Sequence, residues 1–208
     1  MPYSQSFDTA QNVHIMTWHL TETLDELITL WGKENYPHHY IEAKAEKRRR
    51  EILATALLLR LYYGYDVELC HVPSGAPIID KENISISHTA THVAIALHPT
   101  RRVGVDIETI GQRAVRVASR FLSPNELAQL PIEKHSTARS LAIHVAWSVK
   151  EAIFKIHPTA IEFRRDIILS PIPTTPNGMV TAQLSDSITP IEAYYMLYDG
   201  CILAWSVQ

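Results

Sequence analysis

The chain has 208 residues, enough for one ordinary domain or two small ones sharing a core. Hydrophobic residues make up 46% and charged residues 20%, an ordinary globular balance, and the net charge of -3 excludes a global electrostatic pull toward nucleic acid or an anionic membrane. No apolar run reaches the roughly 18 residues of a membrane span, and the opening MPYSQSFDTA lacks the basic region and apolar stretch of a signal peptide.

Residues 13 to 20 are expected as an early strand. Thr23 with Glu26 resembles a capping box and predicts a helix through about Trp31. A long helix is predicted over 42 to 63, where Ile52, Leu53, Ala56, Leu57, Leu59 and Leu61 give a broad apolar surface and Gly64 can cap the end. PSGAP, residues 73 to 77, reads as a turn, and ISISHTATHVAIAL, residues 84 to 97, as two short strands around a polar bend. Another strand is expected over 102 to 107. SPNEL opens a helix, with Ser123 as cap, Pro124 in the first helical position and Glu126 three residues after the serine. A longer helix should cover about 137 to 156 and stop before Pro158. From about 166 onward the tail is strand-rich, and Asp199-Gly200 between two apolar runs predicts a hairpin.

The order is helix then strands, twice, with the switch near residue 100 at HPTRR. No letter-by-letter repeat and no low-complexity linker occurs. Two closely packed α+β halves, 1–100 and 101–208, fit this order. Cys70 and Cys201 make neither a disulfide framework nor a zinc motif, so a cytoplasmic location is expected, and the eleven histidines include no HExxH spacing.

Two acidic segments carry the chemistry. In VGVDIE, residues 103 to 108, Asp106 and Glu108 share one face of a strand, while Val103, Val105 and Ile107 anchor the other in a core. In WSVKEAIFK, residues 147 to 155, Glu151 and Lys155 share a helix face, with Trp147 one turn earlier. Three convergent carboxylates suit a hard divalent cation such as Mg²⁺, and the lysine suits an anion held by it. The plain alternatives are a charged strand end and an i,i+4 salt bridge. Lys150 lies about 100° round the helix from Glu151. The run Lys47, Arg48, Arg49, Arg50 wraps all round its helix; most of it must be solvated, and one or two of its cations could grip a phosphate. His88, in SISHT, lies on a polar bend and suits either a local hydrogen bond or a phosphate contact.

Together these segments resemble the 4′-phosphopantetheinyl transferases, in their longer, Sfp-type form. SGAP resembles the family's Gly-x-Pro loop, and ISISHT its serine-histidine motif. VGVDIE followed by RFLSPNE resembles its first acidic motif and Phe-Ser-x-x-Glu helix start. WSVKEAIFK resembles its Trp-x-x-Lys-Glu-x-x-x-Lys motif. The likeness spans residues 75 to 155, with a weaker match in the arginine-headed helix from 48 to 60.

The resemblance implies transfer of the phosphopantetheine arm of coenzyme A to a serine of an acyl or peptidyl carrier protein, with Mg²⁺ and release of adenosine 3′,5′-bisphosphate. It implies a monomer of two similar halves in a pseudo-twofold arrangement, each a long helix on a small, mainly antiparallel sheet, with coenzyme A at their junction. Asp106, Glu108 and Glu151 would hold the metal. Glu151 would also take the serine proton, and Lys155 would contact the diphosphate. His88 and Arg50, with Lys47, would contact the 3′-phosphate, and Lys150 matches a further family position. Ala76 departs from the pattern, since many relatives carry a cation between the loop glycine and proline. Carrier proteins of this type are acidic, so Arg113, Arg116 and Arg120, at helical spacing, are docking candidates or a merely solvated face. Two other classes compete. A non-catalytic coenzyme A-binding regulator would not need all three carboxylates. A nucleic-acid module built on the basic run would need a broad basic surface.

Overall fold

The computed structural model describes residues 4–157, 161–185 and 187–208. The chain divides into two compact units, Met1–Thr100 and Arg101–Gln208. Each is a mixed α/β body with antiparallel pairing throughout its sheets.

The first unit runs β1 (Ser4–Asp8), β2 (His14–His19), α1 (Leu24–Trp31), α2 (His38–Glu42), α3 (Glu46–Tyr63), β3 (Cys70–His71), β4 (Pro77–Ile78), β5 (Asn83–His88) and β6 (His92–His98). Its main sheet has the order β1-β2-β6-β5, and β3 with β4 forms a small ribbon around the PSGAP turn. Helix α3 packs on β2 and β6 through Leu53, Leu57 and Leu58, which share a core with Met16, Trp18, Val93, Ile95 and Leu97. The capping box at Thr23 forms as expected, and Gly32 and Gly64 end their helices in the left-handed conformation.

Several elements differ from expectation. Strand β1 has the sequence SQSFD, too polar to announce itself, and exists because its whole length pairs with β2, from His14 to Trp18. The long helix begins at Glu46 rather than 42, because Ala43 and Ala45 are both extended and separate it from the short α2. In the second unit, α4 was foreshadowed only by the spacing of its arginines.

The second unit runs β7 (Val103–Thr109), α4 (Gln112–Phe121), α5 (Pro124–Gln129), α6 (Thr137–Ile156), α7 (Phe163–Asp166), β8 (Ile167–Leu169), β9 (Asn177–Leu184), β10 (Ile191–Tyr198) and β11 (Cys201–Val207). The sheet order is β7-β11-β10-β9-β8. Helix α6 keeps its expected bounds; Pro158, its expected stop, lies outside the described residues. Asp199 and Gly200 both take positive φ and join β10 to β11 with Tyr198 opposite Cys201, the tight hairpin that their sequence demands. Among the described residues no helix is long and apolar enough to cross a membrane.

Helix α6 is buried on nearly all sides of its middle turns, with Ala142, Ile143, Val145, Ala146, Val149, Ala152 and Ile153 at 1% exposure or less. It lies across β7, β10 and β11. The approach to β7 is closest at Gly104, where a Cβ would collide with the carbonyl oxygen of Ala152 and crowd Ile156. Gly104 shares its strand face with Asp106 and Glu108, since side chains alternate. The missing side chain therefore lets the helix settle against the face that carries the two carboxylates.

Gly104→Ala should cost about 3 kcal/mol, the upper range for overpacking against backbone that cannot rotate away. Urea denaturation measures it, and a loss under about 1 kcal/mol would show that the helix yields easily and the contact is not limiting.

Candidate functional site

In the second unit, three contacts set α6 against β7. The first is the Gly104–Ala152 approach. The second is Lys155, whose Nζ donates to the Val105 carbonyl at 2.7 Å and to Asp106 Oδ1 at 3.2 Å. The third is His144, 1% exposed: it donates from Nδ1 to the Ser140 carbonyl at 2.7 Å and accepts the Gly111 N–H on Nε2 at 3.0 Å, latching the end of β7 to the helix. Nothing in the sequence marked His144, because its role depends on where the chain turns after Thr109.

These contacts bring Asp106, Glu108, Glu151 and Lys155 into one electrostatic neighbourhood. Asp106 is buried at 6% exposure, and Glu108 and Glu151 are half-buried. Burial and the charge of Asp106 push Glu108 above the ordinary carboxylate range, and Arg113 on α4 partly offsets this. Glu151 is pushed up to about 7 by burial, then by the charges of Asp106 and Glu108, against the opposing pull of Lys155. The ion pair of Lys155 runs to Asp106 rather than making the simple helix bridge with Glu151. The three carboxylates are not among the clusters whose donor atoms all lie within 4.8 Å of one another. They are an open set of oxygen donors that repel one another, with less cation nearby than charge to balance. That donor chemistry fits a hard divalent ion.

Lys150 is a correction. Its side chain is completely buried, and its Nζ donates to Glu126, to the Phe121 carbonyl and to the Phe163 carbonyl at 2.9 to 3.0 Å. All three ammonium hydrogens are engaged inside the protein, so no free cation is presented to a phosphate. Glu126, also fully buried, closes the capping box of α5 with the Ser123 N–H and accepts the Leu169 N–H at 3.0 Å. The pair therefore ties α4, α5, α6, α7 and β8 together. Trp147 packs edge-on against Phe121 and near Phe163, walling the same junction.

In the first unit, a cavity of about 910 Å³ is lined by Arg48, His88, Thr55 and Ile86 and by Gly75 and Pro77 of the loop. Three motifs singled out in the sequence thus line one cavity. The arginine among them is Arg48, not Arg50, whose Nη2 donates to the Leu20 carbonyl at 3.1 Å away from the cavity. Lys47 is exposed and pairs with Glu51 at 3.6 Å. Glu51, which the sequence reading passed over, is the hub: it is 3% exposed and also takes Arg48 at 3.2 Å and His88 Nδ1 at 3.2 Å. Its burial raises its pKa, but His88, Arg48 and Lys47 outweigh burial and hold it below the ordinary value. Arg48 Nη1 and His88 Nε2 are 3.3 Å apart. One buried carboxylate thus gathers three basic side chains beside the cavity. The i+3 and i+4 spacing from Arg48 and Lys47 to Glu51 was the available signal.

The family model of the 4′-phosphopantetheinyl transferase superfamily matches residues 102–200. The matched segment, slightly under half of the chain, is similar to that superfamily. A Bacillus subtilis protein named 4'-phosphopantetheinyl transferase ffp is 27% identical over 114 residues, which cover 55% of this chain and 49% of that relative. A second Bacillus subtilis 4'-phosphopantetheinyl transferase is 29% identical over 79 residues, covering 38% of this chain and 34% of its own length. The match thus spans about half the length of the first relative and a third of the second. Both acidic segments and the Glu126–Lys150 pair fall inside the superfamily segment; the cavity wall with Arg48 and His88 falls outside it.

Two outcomes are expected from this geometry. Lys150→Met strands a buried carboxylate and should cost about 3–5 kcal/mol, much of it recovered when Glu126→Gln is added. Urea denaturation of the two variants tests this, and equal losses in both would deny the pair its role. In metal-free protein, the native state keeps the Glu151 proton between the ordinary 4.5 and about 7. The associated stability is fully present below the lower value and is lost as pH rises toward the upper one. Allowing for partial exposure, the loss is about 2 kcal/mol relative to Glu151→Gln, whose unfolding free energy should lack that slope.

Proposed function

We propose that the protein transfers the 4′-phosphopantetheine group of coenzyme A to a serine of an acyl or peptidyl carrier protein, in a Mg²⁺-dependent reaction that releases adenosine 3′,5′-bisphosphate. The observation that carries the reading is the carboxylate set Asp106, Glu108 and Glu151, under-neutralised in the segment matched by the superfamily. Asp106, Glu108 and Glu151 would hold the metal. Bound Mg²⁺ supplies neutralisation of the diphosphate charge.

The chain's own groups supply the rest. Glu151, placed beside Asp106 and Glu108, is the base of this reading and takes the proton of the carrier serine. The serine oxygen bonds to the β-phosphorus, and the bond to the departing adenosine 3′,5′-bisphosphate breaks. Lys155 offers its ammonium to the diphosphate. In the first unit, Arg48 and His88, steadied by Glu51, are the basic side chains assigned to the 3′-phosphate, with Lys47 at the periphery. Arg113, Arg116 and Arg120 are all exposed on α4, while Ala114, Ala118 and Phe121 face the core. This basic face is the proposed docking surface for an acidic carrier. The reading carries with it a cytoplasmic monomer built of two similar halves.

Incubated with apo carrier, coenzyme A and Mg²⁺, the protein should raise the intact mass of the carrier by one phosphopantetheine, and chelation should abolish the change. Glu151→Gln should lower turnover about a hundredfold or more while the unfolding midpoint at acidic pH is kept. Arg116→Glu should raise KM for carrier but not for coenzyme A. An unchanged carrier mass across a panel of carriers, with folded protein, would refute the reading.

A further inference from the structure

One cluster of ligating side chains belongs to neither the carboxylate set nor the Glu51 hub. On α2, His38 and Glu42 are four residues apart and His39 and Glu42 three apart, so both imidazoles turn toward one carboxylate. One donor atom from each of His38, His39 and Glu42 lies within 4.8 Å of the others. His38 Nδ1 is 3.9 Å from Glu42 Oε1, and His39 Nδ1 is 3.5 Å from Glu42 Oε2. These separations are too long for charge-assisted hydrogen bonds, which close to about 2.7–2.9 Å. They approach the spacing of roughly 3.3 Å between N and O ligands held about 2.0–2.1 Å from a tetrahedral metal.

A second element completes the arrangement. His71, on β3, meets His39 edge-on with ring centroids 4.5 Å apart, and its Nδ1 lies 2.9 Å from His39 Nε2. At that distance His71 Nδ1 can accept the Nε2–H of His39. That proton placement leaves the lone pair of His39 Nδ1 facing the Glu42 carboxylate, acceptor against acceptor, with room for a cation between them. A ligating histidine that donates its other N–H to a partner behind it is the usual outer support of a protein metal site.

We propose that His38, His39 and Glu42 bind one divalent cation of the borderline, Zn²⁺-like class, with His71 orienting His39 from behind. Two imidazoles and a carboxylate suit Zn²⁺, Co²⁺ or Ni²⁺ and discriminate against Mg²⁺, which demands oxygen. The His38 side chain is 78% exposed and that of Glu42 63%, so water fills the remaining coordination positions. His38, His39 and His71 also line the first unit's cavity, so the ion would stand at the cavity that Arg48 and His88 line. The inference rests on the first unit's own side chains and does not depend on the transferase reading.

The test uses the untagged full chain with Zn²⁺ in equilibrium dialysis, under excess Mg²⁺ to block oxygen-only sites. The expected result is one Zn²⁺ per chain. His38→Ala, His39→Ala and Glu42→Gln should each weaken binding at least about tenfold, and His71→Ala should weaken it about tenfold through His39. His38 and Glu42 are exposed, so their variants keep the native unfolding midpoint. Co²⁺ should give visible ligand-field bands that the same variants lose. Cys70→Ser, which removes the thiol next to His71, should leave uptake unchanged. Failure to take up stoichiometric Zn²⁺, uptake indifferent to His38→Ala and Glu42→Gln, or uptake lost in Cys70→Ser would each overturn the assignment.

Discussion

The close approach of α6 to β7 is the constraint on which the second unit depends. A sheet and a helix ordinarily keep a layer of side chains between them. Here a glycine on the strand and an alanine on the helix remove that layer at one point. The carboxylates just beyond it on the strand then share a neighbourhood with Glu151 on the helix. Charges that would be independent in water become coupled, and Glu151 bears most of the consequence because it is the more buried of the two responsive glutamates. Strength of packing and electrostatic tension come from the same geometric fact.

The two units treat buried charge in opposite ways. Around Glu51, one carboxylate is surrounded by Lys47, Arg48 and His88, so the site is locally cation-rich and suited to an anion. Around Glu151, three carboxylates share the single ammonium of Lys155 and the more distant Arg113, so the site is suited to a cation. An excess of one charge near a buried hub is costly to stability, and its persistence in both places marks sites that are completed by something else. The net charge of the chain hides both, because they nearly cancel.

How much of this was legible in the sequence depended on whether the signal was local. The capping boxes at Thr23 and Ser123, the Asp199-Gly200 turn and the bounds of α6 all arise within a few residues and were read correctly. The pairing of two acidic segments was legible as well, because strand and helix periodicities decide which residues share a face. What failed was tertiary. Four consecutive cations on α3 point in four directions, and only the packing of α3 on its sheet selects Arg48 over Arg50. Lys150 reads as a surface lysine until Phe121, Glu126 and Phe163 arrive from three other elements to enclose it. Nothing local marks Gly104 until the helix above it is known.

Residues 150 and 151 are neighbours with incompatible destinations. One is sealed in a socket made by three other elements; the other faces the acidic strand. The socket therefore acts as a key that sets the rotation of α6 about its own axis. A helix that advances 100° per residue cannot be lengthened or shortened by one residue upstream of 150 without withdrawing either the key or the glutamate. Along α6 the side chains are open to exchange in kind, but the count of residues from Ser136 to Lys150 is not. Insertions and deletions, rather than substitutions, are what this part of the chain is least able to absorb.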